Sequence, residues 1–163
     1  MRFWPLPLML LLAACAGNRE AAGPSYVVGT DPRDCAPFAR TESGLALFGA
    51  AADWWGEARG AYPESTRPVP GAVLVFRRGG SLPEGHVAVV RELDGPRSIR
   101  VDQANWVHHH LSRGEPVVDV SPRNDWSEVR VWWSPAGQLG TTIYPTYGFI
   151  LPRRAMASAG SGG

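Results

Sequence analysis

The sequence contains no lysine, and all sixteen of its basic residues are arginine. Fifteen acidic residues offset them, so the formal net charge at pH 7 is only +1. Proteins that bind the nucleic-acid backbone generally carry a strongly basic surface. The composition gives no sign of such a surface, and we expect no nucleic-acid partner.

Cysteine is also scarce, and the apolar run near the start is short. Only Cys15 and Cys35 are present. Because Cys15 is interpreted below as a lipidation site, Cys35 has no cysteine partner and we expect no disulfide. The run within residues 1–14 falls short of the roughly 20 residues that span a bilayer. Because it follows Arg2 and contains Leu10–Leu12, we interpret residues 1–14 as a signal peptide.

The segment Leu12-Ala13-Ala14-Cys15 resembles the lipobox of bacterial lipoproteins. The resemblance implies that Cys15 is diacylated and becomes the mature N-terminus, which anchors the protein in a membrane. Ala16 after this cysteine resembles the sorting pattern that implies the periplasmic face of the outer membrane. An ordinary cleaved signal or an uncleaved anchor remains the alternative.

The remaining 149 residues fit one domain, which we expect to be a monomer. Residues 15–27 are interpreted as the lipidated N-terminus and a tether, residues 28–152 as the folded domain, and residues 153–163 as a disordered tail. Without Arg2 the domain carries fifteen basic and fifteen acidic residues, so it is electrically balanced.

Helical patterns precede strand patterns along the domain. Asp34 is a good N-cap residue, so a helix is predicted to start at Cys35, and apolar spacing predicts a second helix over residues 45–58. Runs of β-forming residues predict strands at residues 72–76, 86–91, 98–105, 116–120, 128–133 and 147–151. This order predicts an α+β fold, with N-terminal helices packed on an antiparallel sheet of about five to six strands.

Two short segments carry the chemistry. Cys35 follows the predicted N-cap, where the helix dipole favours a thiolate, and Cys35 is the cysteine left in an oxidising compartment without an internal partner. His86 follows Gly85 at the head of an apolar strand. A cysteine on a helix and a histidine on a sheet are the arrangement that a cysteine nucleophile needs from its base.

A catalytic histidine also needs a polar group that fixes its orientation. The segment 101–106 offers three candidates on a neighbouring strand, and strand alternation places Gln103 and Asn105 on one face and Asp102 on the other. Which of the three orients the histidine stays open at this point. Trp106, directly after them, is expected to line the cleft and contact substrate.

The domain resembles the CHAP family, the cysteine, histidine-dependent amidohydrolases and peptidases. The resemblance rests on motifs in the family's order, namely Cys-Ala-Pro-Phe-Ala-Arg at 35–40, Gly-Leu at 44–45, Pro-Gly-Ala-Val-Leu-Val-Phe at 70–76, Gly-His-Val-Ala-Val-Val at 85–90 and Ala-Asn-Trp at 104–106. It implies a papain-like fold of the NlpC-type superfamily. It also implies that residues 28–152 form a catalytic domain that hydrolyses peptidoglycan amide bonds.

Carried over by position, the resemblance makes Cys35 the nucleophile and His86 the general base. The family often has glutamate two residues before the asparagine, where this chain has Gln103. The third catalytic member therefore stays open, and with Gln103 in that role Asn105 becomes a supporting polar group. No cofactor and no metal are expected, because consecutive histidines at 108–110 do not share one strand face.

The implied reaction leaves alternatives. The bond cleaved is either the N-acetylmuramoyl-L-alanine amide or an amide of the stem peptide or cross-link. Two other functions remain as alternatives. One is an amidase that acts on a small amide outside the cell wall, and the other is a non-catalytic cell-wall-binding lipoprotein that keeps the fold.

Overall fold

The structure is a computed structural model that describes residues 24–31 and 33–153. The predicted signal peptide, the lipid site at Cys15 and most of the predicted tether and tail lie outside the described residues, and they stay predictions. Within the described part of the chain, no helix is long and apolar enough to cross a bilayer.

Two short α-helices precede most of the strands. The first, α1, spans Cys35–Ser43 and begins directly after Asp34, as predicted. Gly44 ends it with φ 77°, a left-handed conformation that glycine adopts without a steric penalty. The second, α2, is only Trp54–Glu57 and follows a single 3₁₀ turn at Ala51–Asp53.

The predicted helix over residues 45–58 was therefore too long. Gly49 has φ 74° and Ala50 is extended, so the backbone leaves helical geometry immediately before the 3₁₀ turn. Composition predicted a continuous helix because Leu45, Leu47 and Ala51 have helix-like spacing. All three are buried, but irregular chain carries the two leucines into the core.

The described residues contain nine strands, all paired antiparallel. They are β1 Val27–Thr30, β2 Glu64–Ser65, β3 Val73–Phe76, β4 His86–Leu93, β5 Ser98–Ala104, β6 His110–Asp119, β7 Glu128–Trp133, β8 Gln138–Leu139 and β9 Tyr144–Ile150.

The strands form one sheet that closes on itself. Their order is β1-β6-β5-β4-β3-β9-β7-β8, and β6 also pairs with β7, which completes a ring of six strands. The closing pairs include Val117 with Val131 and Asp119 with Val129. The short strands β1, β2 and β8 pair outside this ring with β6, β9 and β7, respectively.

This architecture corrects the predicted fold class. Over the described ranges the protein is mostly β, a barrel-like closed sheet of nine strands with two short helices, and it is not an α+β papain-like fold with N-terminal helices on a sheet of five to six strands. The physical reason is that strand alternation reports which face a residue occupies, but not whether the two ends of a sheet hydrogen-bond to each other.

Two hydrophobic clusters occupy the two faces of the central strands. On β4, Val87 and Val89 face the helices and pack in one cluster with Ala36 and Ala39 of α1 and the buried Trp54. Ala88 and Val90 face the interior of the closed sheet, where Phe76 and Ile99 also lie. His86 has the same strand parity as Ala88 and Val90, and its ring lies against Phe76 with centroids 5.4 Å apart.

Candidate functional site

Cys35 is the first residue of α1 and is only partly exposed. The carboxylate of Asp34, which precedes it, makes no hydrogen bond to the helix amides. That carboxylate instead accepts a hydrogen bond from Asn105 Nδ2 at 3.1 Å. The helix start therefore leaves the first amides of α1 without side-chain partners from Asp34, next to the sulfur.

The thiol is not acidic in this environment. Burial raises the pKa of Cys35 above its ordinary value, and the negative charge of Asp34 adds to the rise, while a hydrogen bond from the backbone of Val87 opposes it. The sequence predicted a thiol pKa lowered by the helix dipole, and in the folded protein desolvation outweighs that effect. Cys35 is consequently a neutral thiol at neutral pH.

A charged network fixes the other end of α1 to the sheet. Glu42 accepts hydrogen bonds from Arg91 of β4 and from Arg113 of β6, the latter at 3.2 Å. Both arginines also donate to Asp102 Oδ2, at 2.6 and 2.5 Å, and Gly114 N donates to Asp102 Oδ1 at 2.9 Å. Asp102 thus orients α1 relative to the sheet and does not contact the histidine.

His86 is the first residue of β4 and is buried, with 3% of its surface exposed. Gly85 makes this position possible, since it has φ 72° and a Cβ there would lie 2.6 Å from Ala52 Cβ and 2.7 Å from the Phe76 carbonyl oxygen. Burial lowers the pKa of His86 to about 4, against the opposing effects of the Gln103 hydrogen bond and the Glu115 charge. The imidazole is therefore neutral at neutral pH.

Gln103 is the one candidate orienter in contact with the imidazole. Its Oε1 lies 2.8 Å from His86 Nε2, and the side chain is fully buried on β5. Asn105 leaves the strand with φ 64°, and its Oδ1 accepts a hydrogen bond from His109 N at 2.8 Å. The two residues that alternation placed on one face thus have different partners, because β5 ends at Ala104.

Behind Gln103 lies a residue that the sequence reasoning missed. Glu115 on β6 is fully buried, and its Oε2 accepts a hydrogen bond from Gln103 Nε2 at 2.5 Å. Its Oε1 accepts another from Ser134 Oγ at 2.9 Å. Burial raises the pKa of Glu115, while the hydrogen bonds from Gln103 and Ser134 oppose the rise.

Glu115 was missed because the predicted strand started at Pro116, whereas β6 begins at His110 and includes Glu115. Glu115 is paired with Val101, and the register shifts between Val101 and Gln103. This irregularity brings the glutamate side chain to the glutamine. A charged residue inside a run of β-forming residues was the available signal, but the register that gives it a partner is not visible in the sequence.

Trp106 covers one side of the imidazole. Its ring centroid lies 5.0 Å from that of His86, 5.7 Å from that of Phe76 and 5.0 Å from that of Tyr144. Its Nε1 donates to the carbonyl of Trp132 at 3.3 Å. Trp106 lines a cavity of about 230 Å³ whose walls include neither Cys35 nor His86, so its expected contact with substrate stays a prediction.

Cys35 and His86 line one open cavity of about 590 Å³. Its walls come from the start of α1, from residues 49–51, from residues 81–85 and from Asn105 and His108. The described residues show no direct hydrogen bond between the thiol and the imidazole. Such contacts often tighten only when substrate binds, and Nε2 is already engaged by Gln103, so Nδ1 is the ring nitrogen left for the thiol.

The three consecutive histidines lie in the loop before β6. The rings of His108 and His109 stack with centroids 3.8 Å apart, and His110 Nδ1 contacts the His108 carbonyl at 2.7 Å. Over the described ranges, no group of three or more histidine, cysteine, aspartate or glutamate side chains has an arrangement suited to a metal ion.

Comparison with known proteins gives one family match. Residues 25–105 match the model of the CHAP domain, a range that includes Cys35, His86, Gln103 and Asn105 and ends before Glu115. No curated protein gives a significant match to the chain. This part of the chain is therefore similar to CHAP domains, as the motifs predicted.

A solved structure is also similar at the level of the chain trace. It is titled "The crystal structure of Ly7917 with the hydrolyzing product of MDP", and it matches with a TM-score of 0.41 and 16% sequence identity. The match covers 80% of this chain and 58% of that chain, so this chain spans less than two thirds of that protein's length.

Proposed function

We propose that this chain is a cysteine amidohydrolase that cleaves an amide bond of peptidoglycan through a thioester intermediate. The observation that carries the proposal is the shared cavity, in which the thiol of Cys35 faces the same space as a buried histidine that Gln103 holds. The match of residues 25–105 to the CHAP domain supports the substrate class.

In the proposed reaction, His86 acts as a general base on a neutral thiol. As substrate enters, Nδ1 takes the thiol proton while sulfur attacks the amide carbonyl carbon, which gives a tetrahedral oxyanion and an imidazolium. The imidazolium then gives its proton to the amide nitrogen, the carbon–nitrogen bond breaks, and the amine leaves. Cys35 is left as a thioester with the acyl part of the substrate.

Hydrolysis of the thioester reverses the proton transfers. Water attacks the thioester carbon while His86 Nδ1 accepts its proton, and the second tetrahedral intermediate expels the sulfur. The thiolate regains a proton from the imidazolium, and the carboxylic acid is released. No external oxidant or cofactor is required for this cycle.

The start of α1 is suited to stabilise the oxyanion. The first amide of this helix with a main-chain acceptor is that of Phe38, which donates to the Asp34 carbonyl at 3.2 Å. Amides earlier in the first turn have no acceptor within a helix. We assign the N–H of Cys35 as an oxyanion donor, because it lies on the residue that carries the nucleophile.

Anchoring is the part of the proposal that concerns Cys15. A lipid on Cys15 would hold the enzyme at the periplasmic face of the outer membrane, next to its substrate. Labelling of cells with a radioactive fatty acid tests this. We expect label on the full chain and none on Cys15→Ser, and label that is absent from both would remove the lipid anchor from the proposal.

The decisive test is analysis of peptidoglycan fragments by mass spectrometry. Purified peptidoglycan is incubated with the protein, with Cys35→Ala and with Arg123→Ala, a control at an exposed side chain remote from the cavity. We expect soluble fragments from the protein and the control but none from Cys35→Ala, with circular dichroism showing that all three fold.

The fragments also identify the bond that is cleaved. Free stem peptides that begin with L-alanine indicate an N-acetylmuramoyl-L-alanine amidase, and shortened stems or opened cross-links indicate an endopeptidase. Full activity of Cys35→Ala would overturn the nucleophile assignment. The absence of fragments with every protein would favour a wall-binding lipoprotein or an amidase of a small amide.

A further inference from the structure

We propose that Glu115 is a positioning residue that acts through Gln103 to fix which nitrogen of His86 carries the proton. The inference rests on the proposed function, in which Nδ1 of His86 must be free to accept the thiol proton. Glu115 does not line the cavity that holds Cys35, so its effect on the reaction must pass through other side chains.

The amide of Gln103 has a defined orientation between His86 and Glu115. The two ends of a glutamine amide have almost the same shape, but one is an acceptor and the other a donor. Glu115 Oε2 lies 2.5 Å from Gln103 Nε2 and its Oε1 accepts a hydrogen bond from Ser134 Oγ, so both carboxyl oxygens serve as acceptors here. The NH₂ end of Gln103 is therefore directed at Glu115, and its carbonyl oxygen must point the other way.

The orientation of Gln103 sets the position of the hydrogen on His86. Gln103 Oε1 lies 2.8 Å from His86 Nε2, and a carbonyl oxygen can only accept, so Nε2 must carry the hydrogen. A neutral imidazole holds one ring hydrogen, which leaves the lone pair on Nδ1. This is the tautomer that a base facing the thiol requires, and the acceptor-only carboxylate of Glu115 is what selects it.

Glu115 is itself supported by a hydrogen bond inside the fold. The carboxylate is fully buried, and Ser134 Oγ donates to its second oxygen at 2.9 Å. Across the described ranges no arginine forms a salt bridge with it. Burying a carboxylate without a cation costs free energy, and its negative charge also favours the imidazolium that forms during the reaction.

The test reads the tautomer directly. Nitrogen-15 NMR of the histidine rings distinguishes a protonated ring nitrogen from one with a lone pair, and the spectrum of His86→Gln identifies the His86 signals among the four histidines. In the full chain at neutral pH we expect a protonated Nε2 and an unprotonated Nδ1. An Nδ1-protonated ring in the unmodified protein would overturn the proposal without any variant.

Glu115→Met removes the acceptor and keeps a side chain of similar length. Gln103 is then free to turn its NH₂ group toward His86, so we expect a measurable share of the Nδ1-protonated tautomer. We also expect kcat to fall by at least about tenfold with little change in KM, within the roughly 10⁴-fold that a wrong tautomer costs in a serine-protease triad. Unchanged ring signals in folded Glu115→Met would overturn the proposal.

A swapped pair provides the rescue. In the double variant Gln103→Glu with Glu115→Gln, the carboxylate at 103 accepts from both His86 and the new amide, and the amide oxygen accepts from Ser134. We expect the native tautomer and most of kcat to return. Val117→Ala, a buried change on the same strand that removes no polar group, is the matched control and should keep the native ring signals.

The outcomes separate the two proposals. If Glu115→Met fails to fold, the double variant Gln103→Glu with Glu115→Gln tests the proposal instead. An Nδ1-protonated His86 in the folded double variant would contradict the selection of the tautomer by Glu115. Ring signals that depend on Glu115 in a protein that releases no peptidoglycan fragments would sustain the positioning role and reject the proposed substrate.

Discussion

At the scale of single residues, the site consists of two neutral groups. Burial raises the pKa of the Cys35 thiol and lowers that of His86 to about 4, so a preformed thiolate–imidazolium pair is not the resting state. The helix start alone predicted a more acidic thiol, because the sequence shows the helix but not the burial. In the proposed reaction, the proton must therefore move during the attack on substrate.

The ionisation of Cys35 is testable by ultraviolet absorbance of the thiolate. We expect the difference between the protein and Cys35→Ser to be small at neutral pH and to grow only at alkaline pH, because desolvation disfavours the charged thiolate. Subtracting Cys35→Ser removes any signal from Cys15. A thiolate difference that is already complete at neutral pH would show that the pair exists as ions.

Gln103 and Asn105 are also distinguished at this scale. Gln103→Ala removes the hydrogen bond to His86 Nε2, whereas Asn105→Ala removes contacts to Asp34 and His109. We expect Gln103→Ala to lower kcat by at least about tenfold and more than Asn105→Ala does, because only Gln103 holds the imidazole. The reverse ranking in steady-state kinetics would transfer the orienting role to Asn105.

At the scale of elements, the sequence predicted that Cys35 is the first residue of a helix and His86 the first residue of a strand. Asp34 before Cys35 and Gly85 before His86 are local signals, and α1 and β4 start at those residues. The partners of the histidine are not local. Glu115 reaches Gln103 because β5 and β6 pair with an irregular register, which no local pattern encodes.

Gly85 is the element boundary with the tightest packing. Gly85→Ala would place a methyl group 2.6 Å from Ala52 Cβ and 2.7 Å from the Phe76 carbonyl oxygen, at φ 72°. We expect a loss of about 3 kcal/mol in the free energy of unfolding by urea, from steric overlap together with backbone strain.

The matched control for that variant is Gly80→Ala. Gly80 also has a positive φ, 52°, but nothing lies within 4 Å of its added Cβ. We expect it to cost only about 1 kcal/mol, which is the strain alone. Equal losses for the two variants would show that the contacts of Gly85 do not determine where β4 begins.

At the scale of the whole molecule, closure of the sheet was the feature that the sequence did not predict. Most of the strands were identified individually, but the ring also needs β9 to pair with β3, which joins residues as distant along the chain as Val73 and Ile150, and no local pattern encodes such a partner. The order of helical and strand patterns and the papain-like fold implied by the resemblance both carried an α+β expectation, and the nine strands and two short helices of the described residues overturn it.

The stability of the whole fold should depend on the protonation of His86. An unfolded histidine binds a proton near pH 6.5, whereas folded His86 does so only near pH 4, so the unfolded state is favoured as the pH falls between these values. We expect the titration of His86 to lower the free energy of unfolding by about 3 kcal/mol as the pH falls through this window.

His86→Gln is the variant that isolates this effect in urea unfolding. The raised pKa of Glu115 has the opposite effect on stability, since its contribution is lost as the pH rises. Glu115 and the other carboxylates with shifted pKa values are present in both the unmodified protein and His86→Gln. The difference between the two curves should therefore shrink on acidification. A difference independent of pH would mean that His86 titrates normally in the fold.

The two reactive groups of the site pack against different hydrophobic clusters, one on each face of β4. Cys35 packs against the cluster under the helices, while His86 lies with Phe76 and Trp106 at the end of the closed sheet's interior. Loosening of the thin helical layer would displace the sulfur while the strands keep the imidazole in place. In mild denaturant we therefore expect the proposed activity to be lost reversibly while the circular dichroism of the sheet is retained, because local opening of the helices would separate the sulfur from the imidazole.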